Sequence, residues 1–572
     1  MAKFQPGVYE GTAYGNGYDS MPSKITVSVT LSEDRIEDVK ILSHGEIKGV
    51  GYGLPTSPVE TLPGEIVRTQ SLGVPLVTGA EKTSKGILKA ASKAIAKSGA
   101  KPAVLEALSA PLPLSPHPDE EREVDFLVVG AGAGGLAAGV EARQAGGSVL
   151  LVEAAGVTGG SAARSGGKLM AAGTKWQEKV GIYDTPDLMF QYMMETSRGA
   201  ADPQKIRYFC DHAYQNLLWL EQMGFSIQDV ECIHESLFPW RVYNSPGGHY
   251  MSAGQGGQIT YAMHMEYLRL GGEIVFNHSL ESLIKEDGKV TGAIFTYAGG
   301  GKLTVHAKHV LLATGGFGRD RAKCEALYPI KNYYTDVPKT NNGKGIRIAA
   351  AAGAKEVESP GIQVNYMSLS ASMIGIHEEA GLILDAHGKR VVNEWSYQFN
   401  VGDALRASGS DHAWYVTCGN ELYDTVNKAF ARGPMEGSPD VFADSVPELA
   451  VKMGVDAAVL QETLDRYNAF AEKGHDDDFG KPAKFLFPVK GPKYAAFYYT
   501  PCVTVTFGGL VTDLCAHVLD QDGKPIPGLF ATGETAPTGL YGTVYPGCGI
   551  SIGAAMLWGR VAARMSLGLS ML

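Results

Sequence analysis

Residues 124–155, VDFLVVGAGAGGLAAGVEARQAGGSVLLVEAA, leave this chain the narrowest choice of fold. A short apolar run ends in a glycine turn, a helix of small residues follows, and a second apolar run ends at Glu153. Gly130, Gly132 and Gly135 spell G-x-G-x-x-G. The first allows a tight turn, the second lets backbone approach a pyrophosphate, and the third lets helix and strand pack closely. The helix start offers unsatisfied N–H groups and the positive end of a dipole, which suit phosphate. Glu153 lies 23 residues beyond Gly130, where an acid suits a ribose hydroxyl pair. A glycine turn alone is weak evidence, but strand, helix, second strand and acid in this order specify a parallel dinucleotide-binding unit.

The rest of the chain must be compatible with that unit. Its 572 residues are enough for two to four domains. Net charge is −11, which argues against nucleic acid or an anionic membrane surface as the main partner. The seven cysteines are scattered and form no C-x-x-C, so iron–sulfur, zinc-ribbon and c-type haem readings fail and no metal is expected. Reduced thiols fit a cytoplasmic protein. The start, MAKFQPGVYEG, has no apolar signal core, and no uncharged run approaches the ~20 residues of a membrane span.

Further glycine turns follow apolar runs at GGSAARSGG (159–167), LLATGGFG (311–318) and GLFATGETA (528–536). A second glycine loop so soon after Glu153 suits a flavin, whose isoalloxazine lies over bare backbone. These features resemble the FAD-binding fold shared by the flavoprotein subunits of fumarate reductase and succinate dehydrogenase, over residues 124 to 565. The resemblance implies non-covalent FAD. Its contacts are expected at Gly130, Gly132, Ala133, Gly134, Gly135, Glu153, Ala154, Gly160, Ser161, Gly166, Gly167, Thr314, Gly315, Glu534, Ser551 and Ile552.

The fumarate-reducing branch grips two carboxylates with cations, because unpaired carboxylates in a dry pocket are costly. Its pattern has a histidine before T-M-G-G, an arginine in the last glycine loop and an arginine after K-R-F-x-N-E. Here TVTFGGL offers Thr504 and Val505, YGTVYPGCGIS offers no arginine, and GKRVVNEWSYQF offers Tyr397 and Gln398. YPGCGISIGAAM instead resembles 3-ketosteroid dehydrogenases. By that match the Tyr545 hydroxyl and the Gly549 backbone N–H hold a ketone oxygen, strengthening as it becomes enolate-like, and glycine keeps a side chain away from the flavin face. Tyr397, with Tyr366 as a second candidate, moves the proton on the neighbouring carbon. The expected enzyme is an FAD-dependent oxidoreductase acting on a small but bulky apolar ketone in an uncharged pocket, with direction open. The alternative is an ene-reductase of an enoate or phenylpropenoid. An electron-transfer partner and a homo-oligomer are both compatible with these expectations.

The first hundred residues resemble FMN-binding domains that often precede anaerobic bacterial reductases. Such domains carry FMN on the threonine of D-x-x-S/T-G-A-T. In PLVTGAEKTS, Glu81 stands at the threonine position and Pro75 at the aspartate position. A carboxylate cannot take the phosphoester, so covalent FMN is not expected, while loosely held FMN stays open. The expected fold class is α/β: a Rossmann-like FAD-binding domain with an inserted α+β capping domain, preceded by a small α+β FMN-binding-like domain. The expected division is 1–102 FMN-binding-like, 103–123 linker, 124–354 FAD-binding, 355–488 cap and 489–572 FAD-binding again.

Overall fold

The computed structural model describes residues 3–16, 23–197, 199–227, 229–231, 242–244, 255–327, 333–335, 337–358, 362–367, 381–396, 398–419, 439–542, 545–547 and 549–572. Three antiparallel strands, Gly7–Tyr14, Lys24–Leu31 and Ile36–Ser43, open the chain. KITVSVTL alternates, so Ile25, Val27, Val29 and Leu31 all point to one buried face. Helices Pro58–Thr69 and Glu81–Ala96 cover that face through Leu62, Ile66, Ile87, Ala90 and Ala94. A Cβ on Gly11 would lie 2.0 Å from the Ala90 carbonyl oxygen, so glycine lets helix rest on strand. Burying each such Ile or Val contributes about 1.5–3 kcal/mol, and an acid at Val27 would break the unit.

Helix Pro102–Leu108 belongs with this unit: Leu105 and Leu108 pack on its core, and the Leu108 carbonyl accepts the Leu72 N–H at 2.7 Å. The segment read as a linker is therefore shorter at both ends. The next strand is Glu120–Val129, whose acidic beginning pairs with Leu303–Ala307 as regular ladder. Charge hid this half of the strand, because its side chains are largely solvated.

That strand sits inside an eight-stranded sheet, flanked by Val149–Val152 and Lys302–Leu312, with Glu273–Val275 and Pro525–Ala531 continuing the parallel set. Phe126 and Val128 feed the core on one face, Leu127 and Val129 the core on the other. This two-sided burial explains an unbroken apolar run rather than an alternating one. Helix Ala133–Gln144 and the C-terminal helix Ile550–Ser566 pack on the first face, where a Cβ on Gly559 would lie 2.2 Å from the Gly134 carbonyl oxygen. Their contact is locked by Arg560, which donates to Glu141 at 2.8 Å and to Asn216 at 2.8 Å.

A second antiparallel sheet joins Ile362–Met367, Tyr494–Thr506, Ala413–Cys418 and Leu382–Asp385, with Val441–Ala443 beside it. Tyr494–Thr506, grouped from sequence with the returning FAD-binding part, is the central strand of this sheet. Thirteen residues long, it runs from the cap into the dinucleotide unit, so no cut near 489 separates the two. Under the sheet lies a dry ion cluster. Arg390 donates to Glu394 at 2.8 and 2.9 Å and to Asp476 at 3.0 and 2.8 Å, and Lys481 approaches Glu394 at 3.3 Å. These carboxylates hold the Arg390 guanidinium charged despite its burial. No helix among the described residues is long and apolar enough to cross a membrane.

Candidate functional site

Four glycine loops and one helix end converge beside the large sheet. In the first loop Gly130 has φ +104°, and a Cβ there would lie 2.4 Å from the Ala313 carbonyl oxygen; one on Gly135 would lie 1.9 Å from the Gly130 oxygen. These two are packing positions. Gly134 likewise faces Thr532 and Ala555. Gly132 differs, since a Cβ there would meet no atom within 4 Å. It also caps helix Ala133–Gln144 without any side-chain cap bond. Open space thus lies before uncapped N–H groups, which is what a pyrophosphate needs.

Glu153 is buried, and its two carboxylate oxygens accept the Ala131 N–H at 2.6 Å and the Ala155 N–H at 2.8 Å. Burial pushes its pKa up while these backbone donors oppose the rise. The carboxylate therefore also braces the glycine turn itself, a task its sequence position did not reveal. Ala154 continues the bend. The second loop lies against the first: Gly159 donates to the Ala131 carbonyl at 2.8 Å, and Gly160, at φ +54°, faces the Gly132 Cα. Ser161 begins a short helical turn, Arg164 donates back to the Gly160 carbonyl at 2.7 Å, and Ser165 accepts the Gly167 N–H just after Gly166.

Asn341 ties the loops together, and sequence reasoning missed it. Its amide nitrogen donates to the Ser161 hydroxyl at 3.2 Å and to Glu534 at 3.2 Å, while its carbonyl accepts the Gly318 N–H at 3.0 Å. It lies in TNNGKG, whose only signal is a turn before helix Lys344–Ala351. In the third loop Thr314 bonds Thr535 at 3.2 Å, and Gly315 takes φ +76° against the Asn341 amide. Glu534 in the fourth loop is pushed from 4.5 to about 7 by burial, against the opposing hydrogen bonds of Asn341 and the Gly316 N–H.

The loop nearest the C-terminal helix holds an aromatic wall. Tyr545 is buried and stacks on Phe507 at 6.2 Å and 12°, with Tyr541 5.5 Å from Tyr545 and 5.2 Å from Phe507. The Tyr545 hydroxyl accepts the Ser551 N–H at 3.3 Å, in the first turn of helix Ile550–Ser566, one residue before Ile552. Tyr192 donates to the Pro546 carbonyl and pins the loop. Gly549 has φ +99°, and its Cβ would fall 2.6 Å from the Met170 nitrogen. Glycine is thus demanded here by close packing on the strand Leu169–Met170, a reason beyond the flavin approach expected from sequence. Tyr397 lies outside the described residues. Tyr366 lies in the strand Ile362–Met367, paired with Pro501, and its side chain is likewise outside them.

Beside Glu534, Tyr541 and Ser551 lies a narrow cavity of about 20 Å³, lined on another side by Lys205 and Trp558. Lys205 is a cation that the sequence did not point to. Its ammonium is buried and donates to the Thr512 hydroxyl at 3.1 Å and the Thr538 carbonyl at 2.9 Å, and burial lowers its pKa to about 8. At the junction of cap and dinucleotide unit, Gln363 pairs with Val505 and Val364 with Val503, so Thr504 is the extra residue of a β-bulge. Its hydroxyl is buried with no hydrogen-bond partner among the described residues.

A family model described as FAD binding domain matches residues 125–552, and one described as FMN-binding domain matches residues 20–96. The chain is 26% identical to an NADH:fumarate oxidoreductase of Klebsiella pneumoniae over 99% of its own length, but spans only 59% of that relative. It is 29% identical to a urocanate reductase of Eggerthella lenta, covering 98% of this chain and 92% of the relative. The structure of a 3-ketosteroid-Δ4-(5α)-dehydrogenase from Rhodococcus jostii RHA1 aligns with TM-score 0.64 and 25% identity, over 79% of this chain and 99% of that one.

The loops fit FAD: open space before Gly132, uncapped N–H groups behind it, and in Glu534 a carboxylate on the wall of the cavity beside Ser551, where ribityl hydroxyls could donate to it. The N-terminal domain does not fit a phosphoester-bound FMN. Glu81 opens helix Glu81–Ala96, and the buried Glu46 accepts from Thr83 in the same turn and from the Asn16 N–H at 3.0 Å. Two carboxylates already stand where a phosphate would seek the helix end, and like charges repel it.

Proposed function

The chain belongs to the FAD-binding-domain family, and from that premise we propose that it is an FAD-dependent oxidoreductase acting across the carbon–carbon bond beside a ketone in a bulky apolar, steroid-like substrate. Bound FAD supplies the centre that gives or takes hydride. Gly132 and the start of helix Ala133–Gln144 hold its phosphates, Glu534 its ribityl hydroxyls, and Asn341 keeps the loops in register. Tyr545 and the Gly549 N–H hold the carbonyl oxygen. The Ser551 N–H polarises the phenol, making it a better donor as charge builds on that oxygen. The rings of Phe507, Tyr541 and Tyr545 keep water from the reacting bond. Tyr397 moves the proton on the adjacent carbon, and the Arg390–Glu394–Asp476 cluster fixes the segment just before it.

The observation that carries this reading is Thr504. At a bulge its buried hydroxyl has no partner among the described residues, where a dicarboxylate enzyme needs a cation. Leaving such a group buried costs about 1–3 kcal/mol, so a neutral polar group of the substrate is its natural complement. The names of the relatives include both enoate reductases and a ketosteroid dehydrogenase, so they support the reaction class more strongly than the substrate. One observation favours a second reading, an enoate reductase fed by an electron-donor partner: the Lys205 ammonium on the cavity wall. The test is anaerobic reoxidation of the reduced protein by cyclic enones and by enoates in parallel. Enones are expected to reoxidise it; reoxidation by enoates alone would overturn the ketone reading.

A further inference from the structure

The loop that carries FMN in similar domains lies here against the second glycine loop of the FAD-binding domain. The Thr78 carbonyl accepts the Gly156 N–H at 2.9 Å, and the Gly79 carbonyl accepts from Arg164. Arg164 also donates to Gly160, the residue facing Gly132, so one guanidinium joins the N-terminal domain to the phosphate side of the site. On its other flank Glu81 meets Lys339 at 3.5 Å, two residues before Asn341. Beneath them Ile47, Val50 and Ala80 share one apolar cluster with Val157 and Ala163. The contacts close a ring: Glu81 to Lys339, Asn341 to Ser161, and Arg164 back to Gly79.

We propose that the N-terminal domain carries no FMN and acts as a brace, with the loop 78–81 clamping the second glycine loop and the Lys339–Asn341 segment that Asn341 ties to it. The residue at the attachment position has become a docking anion, and the surface that would present a flavin is spent on the interface. The brace concerns FAD retention and stands whatever the substrate is.

Two measurements on the full-length holoprotein test it. Intact mass and acid-released flavin are expected to show an unmodified chain and FAD alone. FMN near one equivalent per chain, attached or released, would overturn the proposal. The second measurement is the rate of FAD release. A Cβ on Gly79, at φ +85°, would lie 3.0 Å from the Ala155 Cβ and 3.1 Å from a Val157 methyl. Gly79→Val is expected to speed release ~10-fold or more by wedging the interface. Should that variant misfold, the half-exposed charge pair still decides. Glu81→Lys and Lys339→Glu are each expected to speed release at least ~2-fold, and the double swap to restore it. Unchanged release in all of these variants would show that the domain does not brace the site.

Discussion

Tyr545→Phe removes one oxygen from the aromatic wall and leaves its packing in place. The ring stays stacked on Phe507 at 6.2 Å and 12°, so no large cavity opens. Two effects compete to lower activity. The Ser551 N–H loses its acceptor, and such a loss in a first helical turn costs about 1–3 kcal/mol of stability. Against a total of about 5–15 kcal/mol the chain stays folded, so this cannot explain lost turnover. The second effect is on the barrier. Removing one donor to a developing oxyanion costs about 2.7–4 kcal/mol, or roughly 10²–10³ in kcat. The assay is anaerobic stopped-flow reoxidation of the reduced enzyme by a cyclic enone, with FAD content measured on the same sample. A fall of at least ~10-fold at unchanged FAD content is expected. A rate within about threefold of the parent at saturating enone would refute the carbonyl-holding role.

Four other outcomes follow from the geometry. Glu534 is raised from 4.5 to about 7, so the FAD-free protein should lose up to about 3 kcal/mol of stability as pH climbs through that window, since the folded state then holds the extra proton; urea melts of Glu534→Gln should lack that slope. Asn341→Ala leaves Glu534, Ser161 and Gly318 short of a partner and should weaken FAD retention ~10-fold or more by fluorescence titration, with turnover per bound FAD largely kept. Thr504→Val removes a buried hydroxyl that has no partner among the described residues, so the ligand-free protein should gain about 1 kcal/mol in denaturant melts while KM for the ketone rises. Lys205→Met should leave enone kcat/KM within about threefold, whereas a fall of ~10-fold or more confined to enoates would move the assignment to the second reading.

What the linear order of residues determined was local and periodic. G-x-G-x-x-G between two apolar runs could only be a turn between strand and helix, and its steric needs at Gly130 and Gly135 are met by neighbours a few residues away or on the adjacent strand. The alternation of KITVSVTL and the odd residues at 75 and 81 were legible for the same reason: each is a property of a short stretch. What only the tertiary structure decided involves partners far apart in the chain. Asn341 has no signature, because its meaning comes from Ser161 and Glu534, 180 and 193 residues away. Lys205 reads as an ordinary helix cation until the loops at Thr512 and Thr538 enclose it. Glu153 and Gly549 acquired added reasons for their identity, since backbone from other segments sets the contacts they make. Periodicity and sterics act between neighbours along the chain, whereas burial and hydrogen-bond satisfaction depend on which distant segments close around a group.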